Sequence, residues 1–125
     1  GYKAALEDRG IPLRPEHIRQ GRYTFESGLE KGRELLALTD PPTAIFAAND
    51  EMALGALEAV AAAGRLDSIG IIGFDAIPDA IANIRSGRLL GSVAQFPSEM
   101  GRLGVRHAVE LLRVFQPADR RERVL

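Results

Sequence analysis

Thr43-Ala44-Ile45-Phe46-Ala47-Ala48-Asn49-Asp50-Glu51-Met52-Ala53-Leu54-Gly55-Ala56-Leu57 is the stretch that decides the fold. Its first six residues form a continuous apolar run, the pattern of a strand covered on both faces as in a parallel sheet. The chain then changes character. Asp50 and Glu51 suit the positive end of a starting helix. An alanine-rich stretch from Asp50 to Ala63 follows and stops at Gly64, a residue favoured just past a helix end.

The same strand-then-helix unit recurs on either side. Ile69-Gly70-Ile71-Ile72-Gly73-Phe74 is a second continuous apolar run, and Gly91-Ser92-Val93-Ala94-Gln95 a third. His17-Ile18-Arg19-Gln20-Gly21-Arg22-Tyr23 reads as a weaker strand at the front. The runs are about 20 to 27 residues apart, room for a crossover helix and far more than a hairpin needs. Helices are expected at Tyr2 to Arg9, Glu26 to Leu38, Pro78 to Ser86 and Pro97 to Phe115. The last starts on a proline near its first turn and carries Met100, Leu103, Leu111, Leu112 and Phe115. Alternating strands and right-handed crossovers give an α/β, Rossmann-like three-layer parallel sheet with helices on both faces.

Composition narrows the function classes. At 125 residues, with 46% apolar and 26% charged side chains, the chain has the balance of one compact globular domain. Sixteen basic against 17 acidic residues leave a formal charge of −1, which argues against a nucleic-acid-binding module by itself. No apolar run approaches the roughly 20 residues that span a bilayer. Cysteine is absent, so thiolate metal sites and thiol nucleophiles are excluded, and His17 and His107 are too far apart in sequence to form a ligand motif. No metal and no cofactor are expected.

In open parallel sheets, ligands bind outside the carboxyl ends of the strands. Reading off those ends gives Tyr23, Asn49-Asp50, Asp75 and Gln95. One ring, two amides and two carboxylates at a single edge suit a small polyhydroxylated ligand. The ring stacks on the apolar face of a sugar, and the amides and carboxylates take its hydroxyls in pairs. The edge suits a phosphate poorly, with no glycine-rich loop or lysine beside it.

Each of these residues also has a plainer use. Asn49 could cap the helix that starts at Asp50, and capping leaves its amide donors for other work. Asp50 reads as a first-turn acid rather than a ligand contact. Asp75 could cap the short helix behind Pro78, and Gln95 could simply end a strand. Tyr23 and Phe25 compete for one role, since strand alternation cannot separate residues two apart. Catalysis is the weaker alternative. Asp50 and Glu51 are neighbours at a helix start, so their side chains point about 100° apart instead of converging as an acid/base pair must.

Three ordered motifs carry a resemblance to a known family. Pro42 through Leu57 is the first. Ile72-Gly73-Phe74-Asp75 followed by Ile77-Pro78 is the second, and Val93-Ala94-Gln95 with Pro97 and Glu99-Met100-Gly101 is the third. Together they resemble the type I periplasmic sugar-binding and lactose/galactose-repressor superfamily over nearly the whole chain. Gly1 through Leu6, Phe25 through Gly28 and Pro41-Pro42-Thr43 are similar to repressor effector domains. Ile77 through Ile81 and Ser92 through Gln95 look more like ribose-type transport receptors.

The resemblance implies a lobe of a two-lobed sugar-binding domain. Asn49 matches the asparagine that bonds sugar hydroxyls, and Asp75 the carboxylate that takes a hydroxyl pair. Gln95 matches the glutamine at the last crossover between lobes, and Tyr23 the stacking aromatic. Residues 1–96 would be the second, C-terminal lobe, and 97–125 the final crossover helix returning toward a first lobe outside this chain. A lone lobe is expected to hold sugar weakly. The implied function is effector binding for a repressor-type regulator in the cytoplasm, with DNA reached only through an N-terminal headpiece outside this chain. The alternative is a periplasmic receptor that presents sugar to a membrane permease. A homodimer is expected, through Leu54, Leu57 and Glu58 with Ile81 and Ile84, because a helix apolar nearly all round is buried on more than one side.

Overall fold

The computed structural model describes residues 1–114. Their elements run α1 (Tyr2–Asp8), a 3-10 turn (Pro15–His17), α2 (Phe25–Leu36), β1 (Ala44–Phe46), α3 (Asp50–Ala62), β2 (Gly70–Asp75), α4 (Pro78–Arg85), β3 (Gly91–Ala94) and α5 (Pro97–Val114). Phe115, where the last helix was expected to end, lies outside the described residues, as do the arginines beyond it. The chain divides into two compact units, Gly1–Ala94 and Gln95–Leu125. Gln95 and Phe96 therefore group with the last helix.

In the first unit the strands form one parallel sheet in the order β1-β2-β3. Ile45 lies opposite Ile71, and Asp75 opposite Ala94. Sequential parallel strands joined by right-handed crossovers carry α3 and α4 to the same side of the sheet. Ile45 and Ile71 share the core with Ala53, Ala56, Leu57 and Val60 of α3, and Leu35, Ala47, Ile69, Ala80 and Leu89 complete it. This is the expected α/β parallel sheet flanked by helices.

The layers expected on its two faces are unequal within Gly1–Ala94. Strand alternation sends Phe46 and Ile72 to the other side, where Phe46 is 53% exposed. A run that is apolar at every position cannot report which face is more deeply covered.

Helix α2 packs on α3 rather than on the sheet. Their crossing is close because glycine stands on both sides of it. A Cβ on Gly28 would overlap the Met52 backbone, and one on Gly55 would overlap the Phe25 carbonyl oxygen. The two helices run alongside each other with their starting ends together. Thr24 caps α2 by accepting from the Ser27 N–H at 3.2 Å, and the fully buried Ser27 hydroxyl donates to the Thr24 carbonyl at 3.0 Å.

The strand expected over His17 to Tyr23 is not formed. Pro15 lacks an N–H and starts a 3-10 turn instead. From there the polar side chains tie the segment to α2 and the loop after it. Arg14 pairs with Asp40 at 2.6 Å, Arg19 with Glu34 at 3.0 Å and Arg22 with Glu30 at 3.3 Å. His17 donates through Nε2 to the Asp40 carbonyl at 3.0 Å. The sheet among the described residues accordingly has three strands, not four.

The second unit is described as α5 and the two residues before it. Its described side chains are all solvent-exposed, including Met100, Val105, Leu111 and Leu112. Along its length Arg102 pairs with Glu99, and His107 with Glu110 at 3.2 Å.

Candidate functional site

Parallel pairing places the ends of β1 and β2 at one edge of the sheet, and the chain leaves each by a different device. After β1, Asn49 stands in extended backbone (φ −152°) as the cap of α3. Its Oδ1 accepts from the Met52 N–H at 3.0 Å, and its Nδ2 donates to the Tyr23 carbonyl at 3.0 Å. The cap is thus made, and the same amide ties in the turn before α2. Beyond these two bonds, a carboxamide still has a second N–H and a second lone pair to offer.

Tyr23 is 63% exposed and sits at φ +61°. Phe25, its competitor in sequence, opens α2 and lines a shallow depression with Leu54, Glu58, Asp79, Asn83 and Arg88. Of the two aromatics, the one bonded to Asn49 at the strand edge is Tyr23.

After β2 the backbone turns through two left-handed residues in succession, Asp75 at φ +109° and Ala76 at φ +56°. Left-handed backbone costs an L-residue about 1–2 kcal/mol, and it persists only where surrounding contacts enforce it. Those contacts come from Asp50 and Ser92. Asp50 is 0% exposed. Its Oδ2 accepts from the Ile77 N–H at 2.8 Å, and its Oδ1 accepts from the Ser92 hydroxyl at 2.7 Å. The Ser92 Oγ in turn accepts from the Ala76 N–H at 3.0 Å. Space for the carboxylate exists because position 73 is glycine, where a Cβ would overlap Asp50 Oδ1.

Three of the four sequence-read candidates, Tyr23, Asn49 and Asp75, therefore belong to one connected edge of the first unit. The fourth, Gln95, is the first residue of the second unit, one position past β3. Sequence reading missed Ser92 altogether and read Asp50 only as a first-turn acid of α3, which it is, without its burial or its bridging role. Two signals were available: a lone hydroxyl inside an otherwise apolar strand, and a glycine in the middle of β2 that leaves room for a neighbour.

The five-residue association face needs one correction. Leu57 is 2% exposed and part of the core, so it has almost no surface to give a partner although it reaches the depression lined by Leu54 and Glu58. Its contacts run inward because α3 buries that stripe against the sheet. Leu54, Ile81 and Ile84 are half-buried, and Glu58 is exposed. No group of three or more metal-ligating side chains occurs among the described residues, and no helix among them is long and apolar enough to cross a membrane.

Residues 1–116 match the periplasmic binding protein domain. The probable HTH-type transcriptional repressor ExuR of Bacillus subtilis is 47% identical over 79 residues, covering 62% of this chain and 24% of that protein. The ribose import binding protein RbsB of Haemophilus influenzae is 44% identical over 113 residues, covering 90% of this chain and 37% of that protein. A crystal structure of a LacI-family regulatory protein from Chloroflexus aggregans superposes with a TM-score of 0.80 at 33% identity, covering 94% of this chain and 42% of that one. The chain spans about a quarter of the length of the first curated relatives it matches.

Proposed function

The chain belongs to the periplasmic binding protein domain family, and on that premise we propose that it is the second lobe of the sugar-responsive domain of a repressor-type regulator. The family is one of binding rather than catalysis. The observation that carries the reading is the clustering of backbone strain. Tyr23, Asp75 and Ala76 are the non-glycine residues at positive φ among those described, and all three lie at the strand-end edge around Asn49. Strain of this kind gathers where side chains must be aimed.

At that edge the Tyr23 ring covers the apolar face of a sugar. The remaining Asn49 donor and acceptor and the Asp75 carboxylate take its hydroxyls. A sugar that touches both lobes favours the closed arrangement by its differential affinity for it, and that bias is what a DNA-binding headpiece elsewhere in the protein reads. A regulator of this kind works in the cytoplasm. It pairs as a homodimer through Leu54, Glu58, Ile81 and Ile84, and Leu54→Glu should therefore reduce it to a monomer by light scattering.

A receptor for sugar transport, handing its ligand to a permease in the periplasm, is the second reading. The long alignment with a ribose import binding protein favours it. The coding sequence upstream of Gly1 separates the two: a helix-turn-helix means regulator, a signal peptide means receptor.

Sugar binding itself is tested by NMR shift mapping with D-ribose, D-glucose and D-galactose at up to tens of millimolar. A half-site is expected to bind in the millimolar range or weaker. Shifts should centre on Tyr23, Asn49 and Asp75. Shifts confined to other surfaces, or none with any of the sugars, would overturn the reading.

A further inference from the structure

Resting on the sugar-binding reading above, we propose that Asp50 and Ser92 are positioning residues for Asp75, holding the strained Asp75–Ala76 turn in the one conformation that presents the Asp75 carboxylate at the strand edge. Neither residue is assigned contact with the ligand. They act through the backbone.

Asp75 and Ala76 are consecutive left-handed residues, a conformation that neither side chain favours by itself. Left alone, the turn would relax to ordinary backbone and swing the carboxylate away. Two amides immediately downstream are fixed by one buried acid. The Ile77 N–H reaches Asp50 Oδ2 directly, and the Ala76 N–H reaches Asp50 Oδ1 through the Ser92 hydroxyl. The relay joins three separate pieces of chain: the start of α3, the exit from β2 and the middle of β3.

Its polarity is fixed at every step. Ala76 N–H donates to Ser92, whose own proton then points at Asp50, and both Asp50 oxygens act only as acceptors. A carboxylate meets that demand and a carboxamide does not. An Asn at position 50 must aim its NH2 either at the Ile77 N–H, donor against donor, or at Ser92 Oγ, which strands the serine proton.

Burial argues that the relay has a purpose beyond filling space. Asp50 is wholly enclosed, and its side chain is accommodated only because residue 73 lacks a Cβ. An apolar residue at helix position 50 would serve the core equally well. What such a residue could not do is hold the two amides of a turn that carries a ligand-facing carboxylate.

The test uses the isotope-labelled chain, the same three sugars and two readouts. In the wild type, the Ala76 and Ile77 amides exchange slowly with solvent, and sugar shifts Asn49 and Asp75. In Ser92→Ala both amides exchange at least about tenfold faster, and the sugar dissociation constant rises about tenfold. The Met52 amide, held by the Asn49 cap, keeps its rate as an internal control. Ser92→Thr restores the hydroxyl and returns both readouts toward wild type. Asp50→Asn, nearly equal in volume, repeats the Ser92→Ala result by a second route.

Fast exchange at Ala76 and Ile77 in the wild type would overturn the relay. Faster amides in Ser92→Ala with unchanged sugar affinity would overturn the positioning role and leave the sugar reading standing. A wild type that responds to none of the sugars while its amides still depend on Ser92 would mean that the sugar reading has failed, and the positioning role with it.

Discussion

The ends of β1 and β2 solve the same problem in different ways. Each must leave a polar side chain at the edge of an apolar sheet. At the end of β1, Asn49 does so with ordinary extended backbone and a bond to the amide three residues on. At the end of β2, Asp75 needs two left-handed residues, a buried acid and a serine from the next strand. The cap in the first device is local and is written into consecutive residues, with one added bond to the Tyr23 carbonyl. The second is assembled from parts 27 and 42 residues away from one another along the chain. Cap chemistry survives in any helix, whereas the β2 exit exists only when the whole unit is folded.

The sharpest way to break this contrast is Gly73→Ala. The added methyl overlaps Asp50 Oδ1 and expels the carboxylate, so unfolding by urea should show a loss of about 2–3 kcal/mol. Ala76 and Ile77 should lose amide protection while Met52 keeps it. Equal loss at both strand ends would show that the two are not independent.

Asn49→Ala is the complementary cut. It removes the α3 cap and the bond to Tyr23, and should cost about 1 kcal/mol in the same assay. Its effect on exchange should stay within the first turn of α3.

A smaller change of opposite sign is expected for Ala76→Gly. Glycine accepts φ +56° without the Cβ penalty. Its greater freedom in the unfolded chain offsets part of that gain, leaving a net stabilisation of about 0.5 kcal/mol by thermal melting. If Ala76→Gly destabilises, strain is not what the Asp50–Ser92 bridge is holding.

The smallest effect concerns pH. The Arg14 guanidinium bonded to Asp40 holds that carboxyl below its ordinary range, and Lys31 does the same for Glu30. Carboxyls lowered on folding stabilise the native state above their unfolded pKa, and that contribution is lost as pH falls through the folded value. Acidification below about 4 should therefore loosen residues 14–22, as followed by amide signals of Arg19 and Arg22. Both pairs are solvent-exposed, so the change is a local one.

The contrast also explains what could be read from residues alone. Ile45 and Ile71 sit in continuous apolar runs, and Asn49 stands directly before an acidic, alanine-rich helix, so strands, helix and cap follow from neighbours in sequence. The carboxyl-edge rule then gathers Tyr23, Asn49 and Asp75. Ser92 and the burial of Asp50 were not legible, because a serine in a strand and an acid at a helix start each have a commoner explanation nearby. Leu57 failed for a related reason. On a helix apolar nearly all round, sequence cannot say which leucine faces the sheet. The polar segment from His17 to Tyr23 failed because Pro15 starts a 3-10 turn before it and its Arg19 and Arg22 pair with Glu34 and Glu30 of α2.

One consequence of the glycine-lined crossing between α2 and α3 reaches the strand-end edge. Gly28 and Gly55 let the two backbones touch near the ends from which Tyr23 and Asn49 project. Spacing between those two residues is thereby set in advance of any encounter. On the proposed sugar-binding reading, a ligand docking there would freeze little more than the torsions of one aromatic ring, so the entropic toll of recognition at this corner would be small.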